Sequence, residues 1–130
     1  AQIIEMAREV GAKKVYFASA APPVRHPNVY GIDMPAVDEF IANGKSIDEI
    51  NTTIGSDKLF YQRLDDLEEV TRHKETNIDG FDSSCFNGNY VTGDIDQAYL
   101  DRLQAERNDA SKQEKLAEDE QGIDLHNDEA

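Results

Sequence analysis

The chain has a single cysteine, Cys85, among its 130 residues, so no internal disulfide framework can form and a reducing, cytoplasmic setting is expected. One thiol also falls short of a zinc or iron–sulfur ligand set, and His26, His73 and His126 lie too far apart in sequence to complete one. Positive charge is scarce. Thirteen Lys and Arg stand against 27 Asp and Glu, a formal net charge of −14. A balance of that sign excludes the clustered cations that nucleic-acid phosphate requires and keeps the chain off anionic membrane surfaces. No apolar run approaches the roughly 20 residues that span a bilayer. An initiating Met is missing too, and no Ser, Thr, Asp or Asn cap precedes the helical pattern that opens the chain. The expectation is therefore a C-terminal portion of a longer, soluble protein.

Catalytic constellations are equally sparse. No nucleophile–base–acid set can be assembled from these residues. His73 and His126 stand in charged contexts and read as surface histidines, while His26, between Arg25 and Pro27, rises above that background. Cys85, between Ser84 and Phe86, reads as a small apolar filler. The pairs Asp65-Asp66 and Glu68-Glu69 suit the start of a helix, where acids favour the macrodipole. Asp94 and Asp96 read as capping residues before they read as a metal site. Asn87-Gly88-Asn89 is a turn signal and not a phosphate-binding loop.

What is present is an alternation of helix and strand, and the fold class expected is α/β. Ile3, Met6, Ala7 and Val10 share one face of an opening helix that Gly11 ends. Val15 to Ala18 is an unbroken apolar run, the mark of a strand covered on both faces by a parallel sheet. Its neighbours are expected to lie upstream. Met34 to Ala42 carries Val37, Phe40 and Ile41 on one side and predicts a helix, with Pro35 in its first turn. Ser46-Ile47-Asp48-Glu49 has the form of a capping box and opens a helix to Gly55. Lys58 to Gln62 reads as a short strand, followed by a helix containing Leu67 and Val70. Residues 75 to 94 are irregular. From Asp94-Ile95-Asp96-Gln97 a long helix follows, with Ile95, Tyr99, Leu100 and Leu103 on one face. Beyond it the chain is an acidic tail, expected to be disordered.

The most informative stretch runs from Ala18 to Pro35. It leaves a strand through small residues, Ala18-Ser19-Ala20-Ala21, and continues as a loop too long for a simple connection. Val24, Val29, Tyr30, Ile32 and Met34 make it too apolar for a linker. In open α/β sheets ligands bind outside the carboxyl ends of strands, which places this loop where Ser19 or nearby amides could face one. Tight packing of the loop over a sheet edge accounts for the same residues.

Three blocks carry a family resemblance: Gly11-Ala12-Lys13-Lys14-Val15-Tyr16-Phe17-Ala18-Ser19-Ala20-Ala21-Pro22, His26-Pro27-Asn28-Val29-Tyr30-Gly31-Ile32-Asp33-Met34-Pro35, and Cys85-Phe86-Asn87-Gly88-Asn89-Tyr90-Val91-Thr92-Gly93-Asp94. They resemble the C-terminal part of the glutamine-dependent amidophosphoribosyltransferases, and Ile54-Gly55-Ser56-Asp57 and Arg107-Asn108-Asp109 extend the likeness along nearly the whole chain. The resemblance implies the later part of a type I phosphoribosyltransferase fold over residues 1–80. A C-terminal loop and helix would follow over 81–112, and the acidic tail over 113–130. It implies an enzyme that transfers glutamine-derived ammonia to phosphoribosyl pyrophosphate, the first committed step of purine synthesis, with Mg2+ bound upstream of these residues. The catalytic residues would lie outside this chain, which alone would be inactive.

Members that carry a four-cysteine iron–sulfur cluster have Cys where this chain has Asn28, and Cys-x-x-Cys-Phe where it has Asp82-Ser83-Ser84-Cys85-Phe86. The resemblance therefore points to the cluster-free, proteobacterial type. It also implies a purine-nucleotide inhibitor site bordered by Ile32, Asp33, Met34 and Pro35, and places Phe40 near an ammonia tunnel. Tyr90 and Arg107 fall in a region that couples the two active sites, and the assembly implied is a homotetramer. Two other classes fit the residues alone: a non-catalytic acidic interaction module and a purine-nucleotide-binding regulatory domain.

Overall fold

The structure, a computed structural model, describes residues 2–72 and 77–109. The predicted acidic tail, His73 and His126 lie outside the described residues. Helix α1 (Gln2–Glu9) carries Glu5 in its first turn and Arg8 in its last, in keeping with the macrodipole. Gly11, at φ 98°, provides the left-handed residue after it. The face that is buried differs from the one expected. Ile4 is 4% exposed, whereas Ile3, Met6 and Val10 are 77%, 63% and 87% exposed. Ile4 lies toward Phe17 and Ile54, with which it lines, along with Gln2 and Ile3, an apolar cleft of about 510 Å³.

Strand β1 (Tyr16–Ser19) pairs in parallel with β2 (Lys58–Tyr61), from Tyr16 opposite Lys58 to Ser19 opposite Tyr61. A parallel neighbour expected from outside these residues is thus supplied from within them. The reason is the connection: parallel strands need a crossover of a dozen or more residues, and the stretch between β1 and β2 supplies one with a helix in it. The described sheet has these two strands alone, which leaves Tyr16 and Phe17 exposed.

Crossover helix α2 (Ile47–Ile54) begins in the predicted capping box. Ser46 Oγ accepts from the Glu49 amide, and Glu49 Oε2 accepts from the Ser46 amide at 2.7 Å. Its apolar side packs on the sheet, where Ala42, Ile50 and Leu59 form the core with Ile54 and Tyr61 against them. One carboxylate ties the ends of four segments together. Asp57 Oδ2 accepts from the Val15 amide at 2.7 Å and from Arg8 Nη2 at 3.0 Å, and Arg8 also donates to Gly55 O.

The helix predicted over Met34 to Ala42 is reduced to a single 3₁₀ turn, Val37–Glu39. The backbone is extended on both sides of it, at Ala36 and Phe40. The Val37 amide goes to Gln104 Oε1 at 2.9 Å, so a tertiary contact overrides the local pattern. Helix α3 (Leu64–Arg72) follows β2, with Val70 exposed. The irregular region contains one further turn of helix, α4 (Ser84–Asn87). The last described element, α5 (97–109), starts under Asp96, whose Oδ1 accepts from the Tyr99 amide at 2.7 Å. Tyr99, Leu100 and Leu103 are half-buried, as their spacing predicts.

Candidate functional site

The loop after β1 is held by neighbours at nearly every step. Ser19 Oγ donates to Ala21 O at 2.8 Å and so closes a local turn, in line with the packing alternative. The amides of Arg25 and His26 both donate to Cys85 O, at 2.9 and 3.1 Å. The Arg25 guanidinium forks onto Ala42 O at 2.6 Å and Lys45 O at 2.9 Å, pinning the loop to the turn before α2. The His26 ring fills the space over Gly88, where an added Cβ would lie 3.0 Å from Cε1. His26 is thus a packing partner of the 84–88 turn.

Asn28 lies at the centre of the site and is 2% exposed. Its Oδ1 accepts from the amides of Tyr30 and Ile32, at 2.8 and 3.0 Å, and its Nδ2 donates to Asp82 Oδ2 at 3.4 Å. Arg107 Nη2, reaching from α5, donates to Asn28 O at 3.0 Å. Tyr90 OH donates to Pro27 O at 2.9 Å, and its ring meets Tyr30 edge to face with centroids 6.4 Å apart. Tyr30 OH sits 3.1 Å from Thr92 Oγ1. Burial raises the Tyr90 phenol above its ordinary pKa, with Cys85 and Tyr30 adding to the effect.

Of the four residues singled out as an inhibitor border, Met34 turns inward. Its thioether accepts from the Asn28 amide at 3.2 Å and lies 3.9 Å from Cys85 Sγ. Ile32, Asp33 and Pro35 are exposed. Ile32 and Asp33, with Gly31, Tyr99, Leu103 and Arg107, line a cleft of about 280 Å³ between the loop and α5. Arg107 Nη1 beside it is buried and has no partner among the described residues. Phe40, half-buried at the end of the 3₁₀ turn, does not line this cleft. Tyr90 and Arg107 therefore meet the loop at consecutive carbonyls, while Phe40 stands apart.

Asn28 and Arg25 were not singled out as site residues by the sequence. An Asx turn leaves a signal, an Asn two residues before a turn amide, and Asn28-Val29-Tyr30-Gly31 carries it. Arg25 leaves none, because its acceptors are backbone carbonyls far along the chain. Among the described residues no group of three or more His, Cys, Asp and Glu converges as a metal site. Around Asn28 the donors are one thiol, one thioether, one amide and one carboxylate. That set does not fit an iron–sulfur cluster, which takes several thiolates.

No protein-family model matches the chain. Curated proteins do. It is 53% identical over 126 residues to the amidophosphoribosyltransferase of Escherichia coli (strain K12), 97% of this chain and 25% of that protein. To the amidophosphoribosyltransferase of Pseudomonas aeruginosa it is 53% identical over 127 residues, 98% of this chain and 25% of that protein. To that of Saccharomyces cerevisiae it is 37% identical over 126 residues, 97% and 24%. The chain thus spans about a quarter of the length of the curated relatives it matches.

Proposed function

We propose that this chain, similar over nearly its whole length to the amidophosphoribosyltransferases, belongs to that family and serves as the regulatory and coupling segment of such an enzyme. The reaction is the transfer of glutamine-derived ammonia to phosphoribosyl pyrophosphate, giving 5-phosphoribosylamine, glutamate and pyrophosphate. The observation that carries the reading is the 53% identity over 97% of the chain. Magnesium, bound by residues beyond these, would assist the departure of pyrophosphate. This chain's own residues do something else: they set the shape of a loop. The mixed donor set around Asn28 supports a cluster-free enzyme. A cytoplasmic homotetramer completes the proposal, and among the described residues no helix is long and apolar enough to cross a membrane.

Inhibitory purine nucleotides would bind along Ile32, Asp33, Met34 and Pro35. Exposure of Ile32, Asp33 and Pro35, the first two of them lining a cleft, supports this reading. Coupling between active sites would run through Tyr90 and Arg107, whose hydrogen bonds to Pro27 O and Asn28 O reach the same loop. Phe40 is assigned to the ammonia path by family likeness alone. The exposed faces of α1 and β1 would pack on the remaining three quarters of the enzyme.

Pro35→Trp in the full-length protein tests the regulatory assignment. Pro35 fixes φ where the loop enters the 3₁₀ turn, and a bulky ring there crowds the proposed nucleotide. Inhibition by AMP and GMP should weaken about tenfold or more, a change that needs only about 1.4 kcal/mol, and should fall further than turnover does. Lost turnover with unchanged inhibition would make Pro35 a structural corner.

A further inference from the structure

We infer that Asn28 is the positioning residue of the 29–35 loop, and that its pairing with Asp82 sets how tightly purine nucleotides inhibit. The inference rests on the regulatory reading of that loop given above. A buried amide must satisfy its donors and its acceptor or lose their hydration without return, and every partner of Asn28 bears on loop shape. Oδ1 gathers the amides of Tyr30 and Ile32 from either side of Gly31, which at φ 97° makes the bend between them. Nδ2 then anchors this knot to Asp82, whose other oxygen accepts from the Ser84 amide at 3.1 Å and so belongs to α4. The Asn28 carbonyl takes Arg107 from α5. The Asn28 side chain therefore ties Tyr30 and Ile32 to Asp82 and α4, while its backbone carbonyl ties the same point of the loop to α5, and among the described residues the loop has no other hydrogen bond to Asp82.

The chemistry of the pair gives a sharp test. Asn28→Asp keeps the acceptor for the two loop amides but sets a second carboxylate beside Asp82, and like charges at this spacing repel. Adding Asp82→Asn restores one donor and one acceptor with their places exchanged, and leaves an oxygen for the Ser84 amide. In the full-length protein, Asn28→Asp should weaken inhibition by AMP and GMP at least tenfold while turnover falls less. The double variant should return inhibition to within about threefold of the parent. Hydrogen exchange gives a readout independent of inhibition: Asn28→Ala should speed exchange at the Tyr30 and Ile32 amides.

Unchanged amide exchange in Asn28→Ala would overturn the positioning role. So would an Asn28→Asp variant with unchanged inhibition where Pro35→Trp alters it. Failure of the double variant to restore what the single one loses would overturn the Asn28–Asp82 pairing. If Pro35→Trp and Asn28→Asp both leave inhibition untouched while amide exchange responds as expected, the regulatory reading of the loop falls and the structural role of Asn28 stands.

Discussion

At the scale of single residues, the site depends on a phenol that must stay protonated. Tyr90 donates its hydroxyl proton to Pro27 O, and burial raises its pKa above the ordinary value near 10. The sign follows from linkage: a group whose pKa is raised on folding contributes stability that is present below the unfolded pKa and lost as pH rises through the folded one. Asp57 and Glu49 behave in the opposite sense. Backbone amides of Val15 and Ser46 lower their pKa values, so their contribution holds above about pH 4 and is lost as pH falls through the lowered values. Tyr90→Phe should cost about 1 kcal/mol near neutrality, the net worth of one hydrogen bond. It should also flatten the decline in stability above about pH 10. Urea midpoints of parent and variant across that range would show it, and an alkaline decline unchanged in Tyr90→Phe would place the titrating group elsewhere.

Elements whose signals are local, the strands at Tyr16–Ser19 and Lys58–Tyr61 included, were legible in the sequence, and the contacts that join or override them were not. The capping box at Ser46 and Glu49, the stop at Gly55 and the cap at Asp96 each lie within a few residues of what they control. The predicted helix over Met34 to Ala42 has the right spacing, yet Gln104 claims the Val37 amide from a helix the spacing cannot see. The site divides the same way. The loop, Tyr90 and Arg107 are visible as segments, but the meeting of Pro27, Asn28, Tyr90 and Arg107 depends on chain folding back across 63 and 79 positions. Two helix-ending glycines make a matched prediction. Gly55 and Gly88 have φ of 76° and 74°, but only Gly88 faces a ring where a Cβ would stand. Gly55→Ala should cost about 1–2 kcal/mol, the left-handed penalty alone. Gly88→Ala should cost more and shift the His26 ring resonances. Equal thermal shifts for the two would mean that His26 moves aside freely.

Over the whole molecule, the distribution of apolar surface is lopsided. Ile3 and Met6 on α1, Val10 just after it, and Tyr16 and Phe17 on β1 are all exposed, whereas the core of Ala42, Ile50 and Leu59 is small. Apolar exposure on this scale marks surface that other protein covers, and the unpaired side of β1 offers open backbone groups. The 130-residue chain studied by itself should associate with rising concentration in sedimentation velocity, and Ile3→Glu with Val10→Glu should shift it toward monomer. A monomer independent of concentration would remove the case for a covering surface.

The parallel pairing of β1 with β2 also sets an order of events in time. Val15 and Asp57, which clamp the start of the pair, are 42 positions apart. Closing so long a segment costs entropy that is recovered only when the strands meet, and contacts of high sequence separation slow folding. Helix α2, between the strands, has both ends capped from within its own neighbourhood. The strands join across that helix, and Asp57, bonded to the Val15 amide, holds the start of the pair closed. Emerging from a ribosome, the apolar run of β1 must wait for β2 to be made, and that interval is when it is most open to pairing with a wrong partner.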